Sequence, residues 1–175
     1  MRAHQCFNTP MRIAIFDLDG TITRHDTMTP YVFGFCLRRP HRLPGFLAMP
    51  WHLLRYAFDG HDRGRLKQAL MRATLRGVSR DDIARWNERW VPRLLRRGVH
   101  PRALEQLRRH RDAGDHLILM SASVDLYVPA IARALGMNET ICTGARWDGM
   151  RLDGTLTTPN RRDEEKVRCL QAVRE

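Results

Sequence analysis

The period of the hydrophobic pattern changes repeatedly along this chain, and each change marks an element. Ile13-Ala14-Ile15-Phe16 is a short apolar run closed by Asp17, too short for a helix and apt for a buried strand. From Arg24 to about Arg97 the period becomes helical. Within that stretch Ile83, Trp86, Trp90 and Leu94 share one helix face, the stripe a helix turns toward a core. Ser79 and Asp82 stand at capping-box spacing ahead of it.

Gly98 then reads as a hinge, Pro101 suits the first turn of a new helix with Leu104 and Leu107 facing inward, and Gly114 closes that helix. Leu117 to Met120 is a second buried strand. Val124 to Leu135 is mostly helical, with Pro129 implying a break or a late start. Ile141-Cys142-Thr143 is a third short strand. Asp148-Gly149 and Asp153-Gly154 are turn signals around a hairpin, and Asp163 can cap a last helix carrying Lys166. Strands alternating with helices predict an α/β fold with a helical insert.

The chemistry concentrates where the first strand ends. In Phe16-Asp17-Leu18-Asp19-Gly20-Thr21, Asp17 and Asp19 would point the same way if the strand continued, and Gly20 allows a sharp turn. One acid can attack phosphorus while the other hands a proton to the leaving group. A capped strand end with two solvated acids is the plain alternative.

This DxDGT stretch resembles the first motif of the haloacid dehalogenase-like (HAD) superfamily. His116-Leu117-Ile118-Leu119-Met120-Ser121 resembles the second-motif strand ending in its phosphate-binding serine, and Lys166 in Asp163-Glu164-Glu165-Lys166 resembles the third-motif lysine. The long insert between the first two motifs, Ser121-Ala122-Ser123, and the later Leu135-Gly136 are similar to the phosphoserine phosphatase-like branch. The resemblance runs from Met11 to the C-terminus. It implies a Rossmann-like three-layer core with a parallel sheet, from residues 11–23 and 98–175, and a helical cap from 24–97. It also implies roles: Asp17 as nucleophile, Asp19 as general acid and base, and Thr21, Ser121 and Lys166 on the phosphate. Mg²⁺ would lie between Asp17, the Asp19 main-chain carbonyl and the phosphate. Asp19 argues against a true dehalogenase, which has no ester leaving group to protonate.

Composition adds a charge constraint. The formal net charge is +11, from 30 basic and 19 acidic residues. Only Lys67 and Lys166 are lysines, so 28 of the 30 are arginine. That one-sidedness points to a compositional bias rather than a DNA-binding design, and no zinc-finger spacing, aromatic RNA-binding motif or basic tail is present. A nucleic-acid partner is therefore not expected, whereas a phosphorylated small molecule or an anionic membrane surface is. Lysine scarcity makes Lys166 hard to dismiss as a surface charge. Cys6, Cys36, Cys142 and Cys169 form no CxxC or metal spacing and read as reduced thiols of a cytoplasmic protein. Residues 1–10 lack the apolar core of a signal peptide and read as a disordered leader or a mis-assigned start, with Met11 as the natural one.

Two departures from the family pattern shape the remaining expectations. The fourth motif, an acidic GDxxxD-like stretch on a further strand, is absent before Glu175. The expectation is a truncated chain whose first strand becomes a sheet edge, prone to instability, swapping or homo-oligomer formation and weakly active, or else a non-catalytic phosphate-binding remnant. Asp26 stands where phosphoserine phosphatases carry a substrate-holding Glu, and Gly20 replaces their usual Ser, so phosphoserine itself is disfavoured. Asp26 is the candidate for specificity. The same pattern resembles phosphatidylglycerophosphatase C, in which case Leu43 to Phe58 could lie at a membrane inner face with Arg38, Arg39, Arg42 and Arg55 near anionic lipid. If so, the chain co-sediments with anionic vesicles; the absence of such binding removes the lipid alternative.

Overall fold

The computed structural model describes residues 12–48 and 63–158. The leader, most of Leu43 to Phe58, Cys6, Cys169, and the stretch from 159 onward with Asp163 and Lys166 lie outside the described residues. The fold is α/β. Three parallel strands, β1 (Ile13–Asp17), β2 (His116–Val124) and β3 (Glu139–Thr143), form a sheet in the order β1-β2-β3. Between β1 and β2 come α1 (Met28–Leu37), a 3₁₀ segment at Pro40–Ala48, α2 (Arg63–Thr74), α3 (Arg80–Arg97) and α4 (Pro101–Asp112). After β2 come α5 (Val128–Leu135), β3, and a hairpin of β4 (Ala145–Asp148) and β5 (Arg151–Leu156).

β2 is central and almost wholly buried, as expected of a parallel strand with neighbours on both sides. β1 is the sheet edge among the described residues. Ala14 faces inward, whereas Ile13 and Ile15, on the opposite face, remain 42% and 40% exposed. The strands run in register from Ile13 beside His116 to Asp17 beside Met120.

β2 is longer than its apolar run, and this corrects the reading of Val124 as helical. The sheet partner carries it through Val124, but Met120 pairs Ile141 and Val124 pairs Thr143, so β2 bulges at Ser121-Ala122-Ser123. Helix α5 starts late, at Val128, with Pro129 in the first turn where its missing N–H costs nothing.

The insert is pinned where it leaves and returns. Arg24 N–H donates to Gly98 O at 2.8 Å, and His100 N–H to Ile22 O at 2.9 Å. Inside it, Ser79 caps α3 by accepting the Asp82 N–H at 3.1 Å. Asp81 and Asp82 in its first turn and Arg96 and Arg97 in its last complement the helix dipole. The stripe Ile83, Trp86, Trp90 is buried, joined by Val91, while Leu94 is partly covered. Tyr31 of α1 packs edge-on to Trp90 at 4.9 Å between ring centroids. Burying each of these aromatic side chains contributes roughly 2 kcal/mol.

The segment after Arg39 is 3₁₀ rather than α-helical over its described part, and Pro44 within it removes a donor the α-helix would need. Arg42 within it and Arg38 and Arg39 just before it have partners within the protein. Arg42 caps the end of α2 through Thr74 O and Arg76 O, Arg39 pairs with Asp82 at 2.5 Å, and Arg38 lies over the Trp86 ring. No helix among the described residues is long and apolar enough to cross a membrane.

Asp148-Gly149 forms the hairpin turn, but Asp153-Gly154 lies inside β5. Gly154 is there because α2 comes close: with φ of 92°, an added Cβ would sit 3.0 Å from Arg72 Cγ and main-chain N. Gly77 N–H to Leu152 O and Leu152 N–H to Val78 O then stitch the hairpin to the α2–α3 connection. Gly154→Ala therefore has to strain the backbone and push α2 away, and is expected to cost about 2 kcal/mol. A denaturant midpoint that does not move would contradict this packing.

Candidate active site

Side chains that carry chemistry meet at the carboxyl edge of the parallel sheet, where open α/β folds place ligands. β1 stops at Asp17, so Asp19 does not follow the strand's alternation. Leu18 and Ile22 are buried and hold the loop down. Gly20 turns it with φ of 79°. Thr23 N–H donates back to Leu18 O at 2.9 Å, and its hydroxyl bridges Leu18 O and His25 O. Asp17 accepts the Leu18 N–H at 2.9 Å.

Asp19 is the most tightly held group of the site. Thr27 donates twice to its Oδ1, from the main-chain N–H at 2.8 Å and from the hydroxyl at 2.7 Å. Ser123 donates its hydroxyl to Oδ2 at 2.6 Å. Three donors from two elements fix the direction of this carboxyl group. Ser121 is fully buried in the β2 bulge, where its Oγ accepts the Ser123 N–H at 3.0 Å. Thr21 is exposed in the loop just beyond Asp19. Asp26 caps α1, its Oδ1 accepting Met28 N–H at 3.0 Å and Thr29 N–H at 3.2 Å. The structure thus gathers Asp17, Asp19 and Ser121 at one sheet edge and gives Asp26 a helix-capping job. Lys166 lies outside the described residues.

Four side chains here were not singled out individually as site residues from the sequence. Thr27 sits at the helix start, where a capping role is the ordinary expectation, yet its side chain makes no cap bond. Ser123 appeared only as part of a family-like stretch. Tyr127 fell in a segment read as helix. Lys67 reaches from α2 into the β2 bulge, its ammonium donating to Ala122 O at 2.5 Å. That carbonyl also accepts the Thr143 hydroxyl at 2.8 Å. The lysine scarcity that draws attention to Lys166 applies equally to Lys67 and was the signal available for it.

Tyr127 closes the inner side of the site. Its hydroxyl lies 3.0 Å from Thr27 Oγ1, and its ring stacks on Tyr31 at 4.4 Å and meets Trp90 at 5.5 Å. Burial pushes the Tyr127 phenol far above its ordinary value, and the Asp19 charge adds to this; hydrogen bonds with Ser123 and Thr27 oppose it. Burial also raises Tyr31, with Tyr127 contributing. Behind this wall a groove of about 460 Å³ runs between α3, α5 and β4, lined by Arg80, Asn87, Asp125 and Arg133 among others; neither Asp17 nor Asp19 borders it. Burial raises the Asp125 carboxyl despite the Ala145 N–H and Arg80 nearby.

For a metal, Asp17 and the Asp19 main-chain carbonyl offer hard oxygens, the donor type Mg²⁺ takes. Among the described residues no group of three or more His, Cys, Asp or Glu side chains gathers there. Mg²⁺ needs only one or two carboxylates, completing its shell with water and phosphate oxygens, so the donor set fits.

A parallel sheet with an inserted helical unit and two acids at the end of its edge strand defines an α/β protein with a candidate site at the carboxyl edge of its sheet. The chain belongs to the haloacid dehalogenase-like hydrolase family, whose profile matches residues 14–175. It is 34% identical over 169 residues to Protein CicA of Caulobacter vibrioides, covering 94% of this chain and 72% of that protein. A crystal structure of a protein of unknown function from Bordetella pertussis Tohama I superposes with a TM-score of 0.73 at 26% identity, covering 95% of this chain and 75% of that one. A phosphoserine phosphatase solved as a phospho-aspartyl intermediate analogue shares the fold, with a TM-score of 0.61 at 14% identity over 94% of this chain and 71% of that one.

The raised tyrosines set a pH dependence. Native Tyr127 and Tyr31 keep their protons where the unfolded chain, with tyrosines near the ordinary value of about 10, loses them. Their contribution to stability is complete below pH about 10 and is lost as the pH rises above it. Melting temperature is expected to be insensitive to these groups at neutral pH and to fall in alkali, with part of the fall removed by Tyr127→Phe. An alkaline limb identical in that variant would contradict the assignment.

Proposed function

We propose that this protein is a Mg²⁺-dependent phosphomonoester hydrolase that works through an aspartyl-phosphate. The observation that carries the reading is the Asp19 carboxyl group, held by Thr27 and Ser123 two residues beyond the strand end at Asp17. A solvated surface acid has no need of such a clamp, whereas a general acid must keep its direction toward the leaving oxygen.

In the first step an Asp17 carboxylate oxygen attacks phosphorus in line. The bond from phosphorus to the leaving oxygen breaks, and that oxygen takes the proton from Asp19. In the second step Asp19, now a carboxylate, takes a proton from water as the water oxygen attacks phosphorus; the bond to Asp17 breaks and phosphate is released. Correct proton transfer of this kind is worth about 10²–10⁴-fold in rate. Ser121, Thr21 and Lys166 would hold the phosphate oxygens, as the family resemblance implies. Asp17 and the Asp19 carbonyl would hold Mg²⁺, which when bound offsets the repulsion between the anionic nucleophile and the anionic ester.

A small phosphorylated metabolite is favoured over a lipid headgroup. Of the four arginines that would meet anionic lipid, Arg38, Arg39 and Arg42 are engaged with Trp86, Asp82 and the end of α2, and Arg55 lies outside the described residues. With Asp26 occupied as a cap, specificity falls to the cap helices, where Lys67 of α2 reaches the β2 bulge.

Phosphate release from p-nitrophenyl phosphate in Mg²⁺ tests the reading. Asp17→Asn is expected to lower kcat by about 10³-fold or more, and chelation of the metal to abolish turnover. Activity surviving Asp17→Asn would sink the nucleophile. A wild-type chain that binds inorganic phosphate but releases none would favour a non-catalytic phosphate binder.

A further inference from the structure

Tyr127 is a buried phenol for which the reaction just described has no role. Its ring packs on Tyr31 and Trp90, and its hydroxyl meets Thr27 Oγ1 at 3.0 Å and the Ser123 side chain, each of which also hydrogen-bonds Asp19. The direction of that hydrogen bond follows from counting protons. Thr27 has one hydroxyl hydrogen, and its other neighbour is Asp19 Oδ1 at 2.7 Å. That oxygen also takes the Thr27 main-chain N–H at 2.8 Å, so it is the acceptor of both Thr27 donors. The Thr27 hydrogen goes to Asp19, and Tyr127 donates to Thr27. If the phenol turns from Thr27 it turns to Ser123, which holds the other Asp19 oxygen, and a buried hydroxyl left with neither would cost about 1–3 kcal/mol.

The far end of the chain of contacts lies in the insert. The Tyr127 ring stacks on Tyr31 of α1 and meets Trp90 of α3. The Tyr31 hydroxyl donates to Asn87 Oδ1 at 2.8 Å, and Asn87 Nδ2 donates to Leu126 O at 2.7 Å, so the residue before Tyr127 is tied to α3 as well. Thr27 immediately precedes α1. Both Thr27 donors that orient Asp19 Oδ1 are thus set by how α1 and α3 pack against the β2–α5 turn. Ser123 serves the other oxygen, and its hydroxyl can donate or accept.

We infer that Tyr127 is a positioning residue: through Thr27 it aims the Asp19 carboxyl group, so that aromatic packing in the helical insert governs how well the leaving oxygen is protonated. This rests on the phosphatase reading above and adds to it a residue and a coupling that no catalytic role requires. Aid to the leaving group matters little for an ester that departs as a stable anion and much for one that does not.

The test compares kcat/KM for p-nitrophenyl phosphate and for phenyl phosphate, esters of similar shape whose leaving groups differ in acidity. Tyr127→Phe keeps the ring and removes the hydroxyl. It is expected to lower turnover of phenyl phosphate about tenfold while changing p-nitrophenyl phosphate by less than about twofold. Thr27→Val is expected to shift the ratio further in the same direction, and Thr27→Ser to restore it. The ratio is independent of the fraction of protein folded, so a loss of stability in a variant does not mask the result. Equal losses on both esters, or none, would overturn the inference and leave Tyr127 a packing residue. Wild-type turnover that is absent, or that survives Asp17→Asn, would overturn the phosphatase reading itself and the inference with it.

Discussion

Everything at the carboxyl edge of the sheet depends on how the Asp19 carboxyl group is satisfied. Its two oxygens collect donors from the residue that opens the first helix of the insert and from the bulge of the central strand. A carboxylate placed against a partly buried wall without such donors would cost several kcal/mol in lost hydration. The loop from Leu18 to Thr27, the bulge at Ser121 to Ser123 and the start of α1 are therefore one unit. None can shift without unpairing a polar group in another.

The insert adds a second constraint of a different kind. Tyr31, Trp86, Trp90 and Tyr127 form an aromatic cluster that spans the insert and the turn after β2. Edge-on and tilted ring contacts of this sort add about 0.5–1.5 kcal/mol each beyond burial, and they have directional preference. Two hydroxyl groups at the rim of the cluster, on Tyr31 and Tyr127, find partners in Asn87 and Thr27. The cluster thereby joins apolar packing on one side to the polar clamp on the other. The arginine-rich surface is drawn into the same economy of contacts: Arg38 lies over Trp86, Arg39 over Phe35 and Arg80 over Trp147. Three of the arginines thus lie over aromatic rings, contacts that suit a guanidinium better than an ammonium.

Local signals were read correctly where one element answers them alone. The Ser79 cap, the Ile83-Trp86-Trp90 stripe, Pro101 in a first turn and the Asp148-Gly149 turn all satisfy a short-range geometric rule, and the structure obeys each. The failures have one cause in common, a partner distant in sequence. Val124 belongs to β2 because Thr143 pairs with it. Asp153-Gly154 is strand rather than turn because β4 and α2 both lie against it. Thr27, a natural cap residue, gives its hydroxyl to Asp19 and leaves capping to Asp26.

The sequence by itself determined the class of fold, the strand that ends in Asp17, and the family, because a period of apolar positions and a run of acids and glycine are local facts. Only the tertiary structure decided which groups face that strand end. Ser123 lies 104 residues from Asp19, Tyr127 lies 100 from Thr27, and Lys67 lies 55 from Ala122. No periodicity encodes such meetings. They follow from the parallel pairing of β1 with β2, the bulge in β2, and the return of the insert over the sheet edge, where buried polar groups had to find each other.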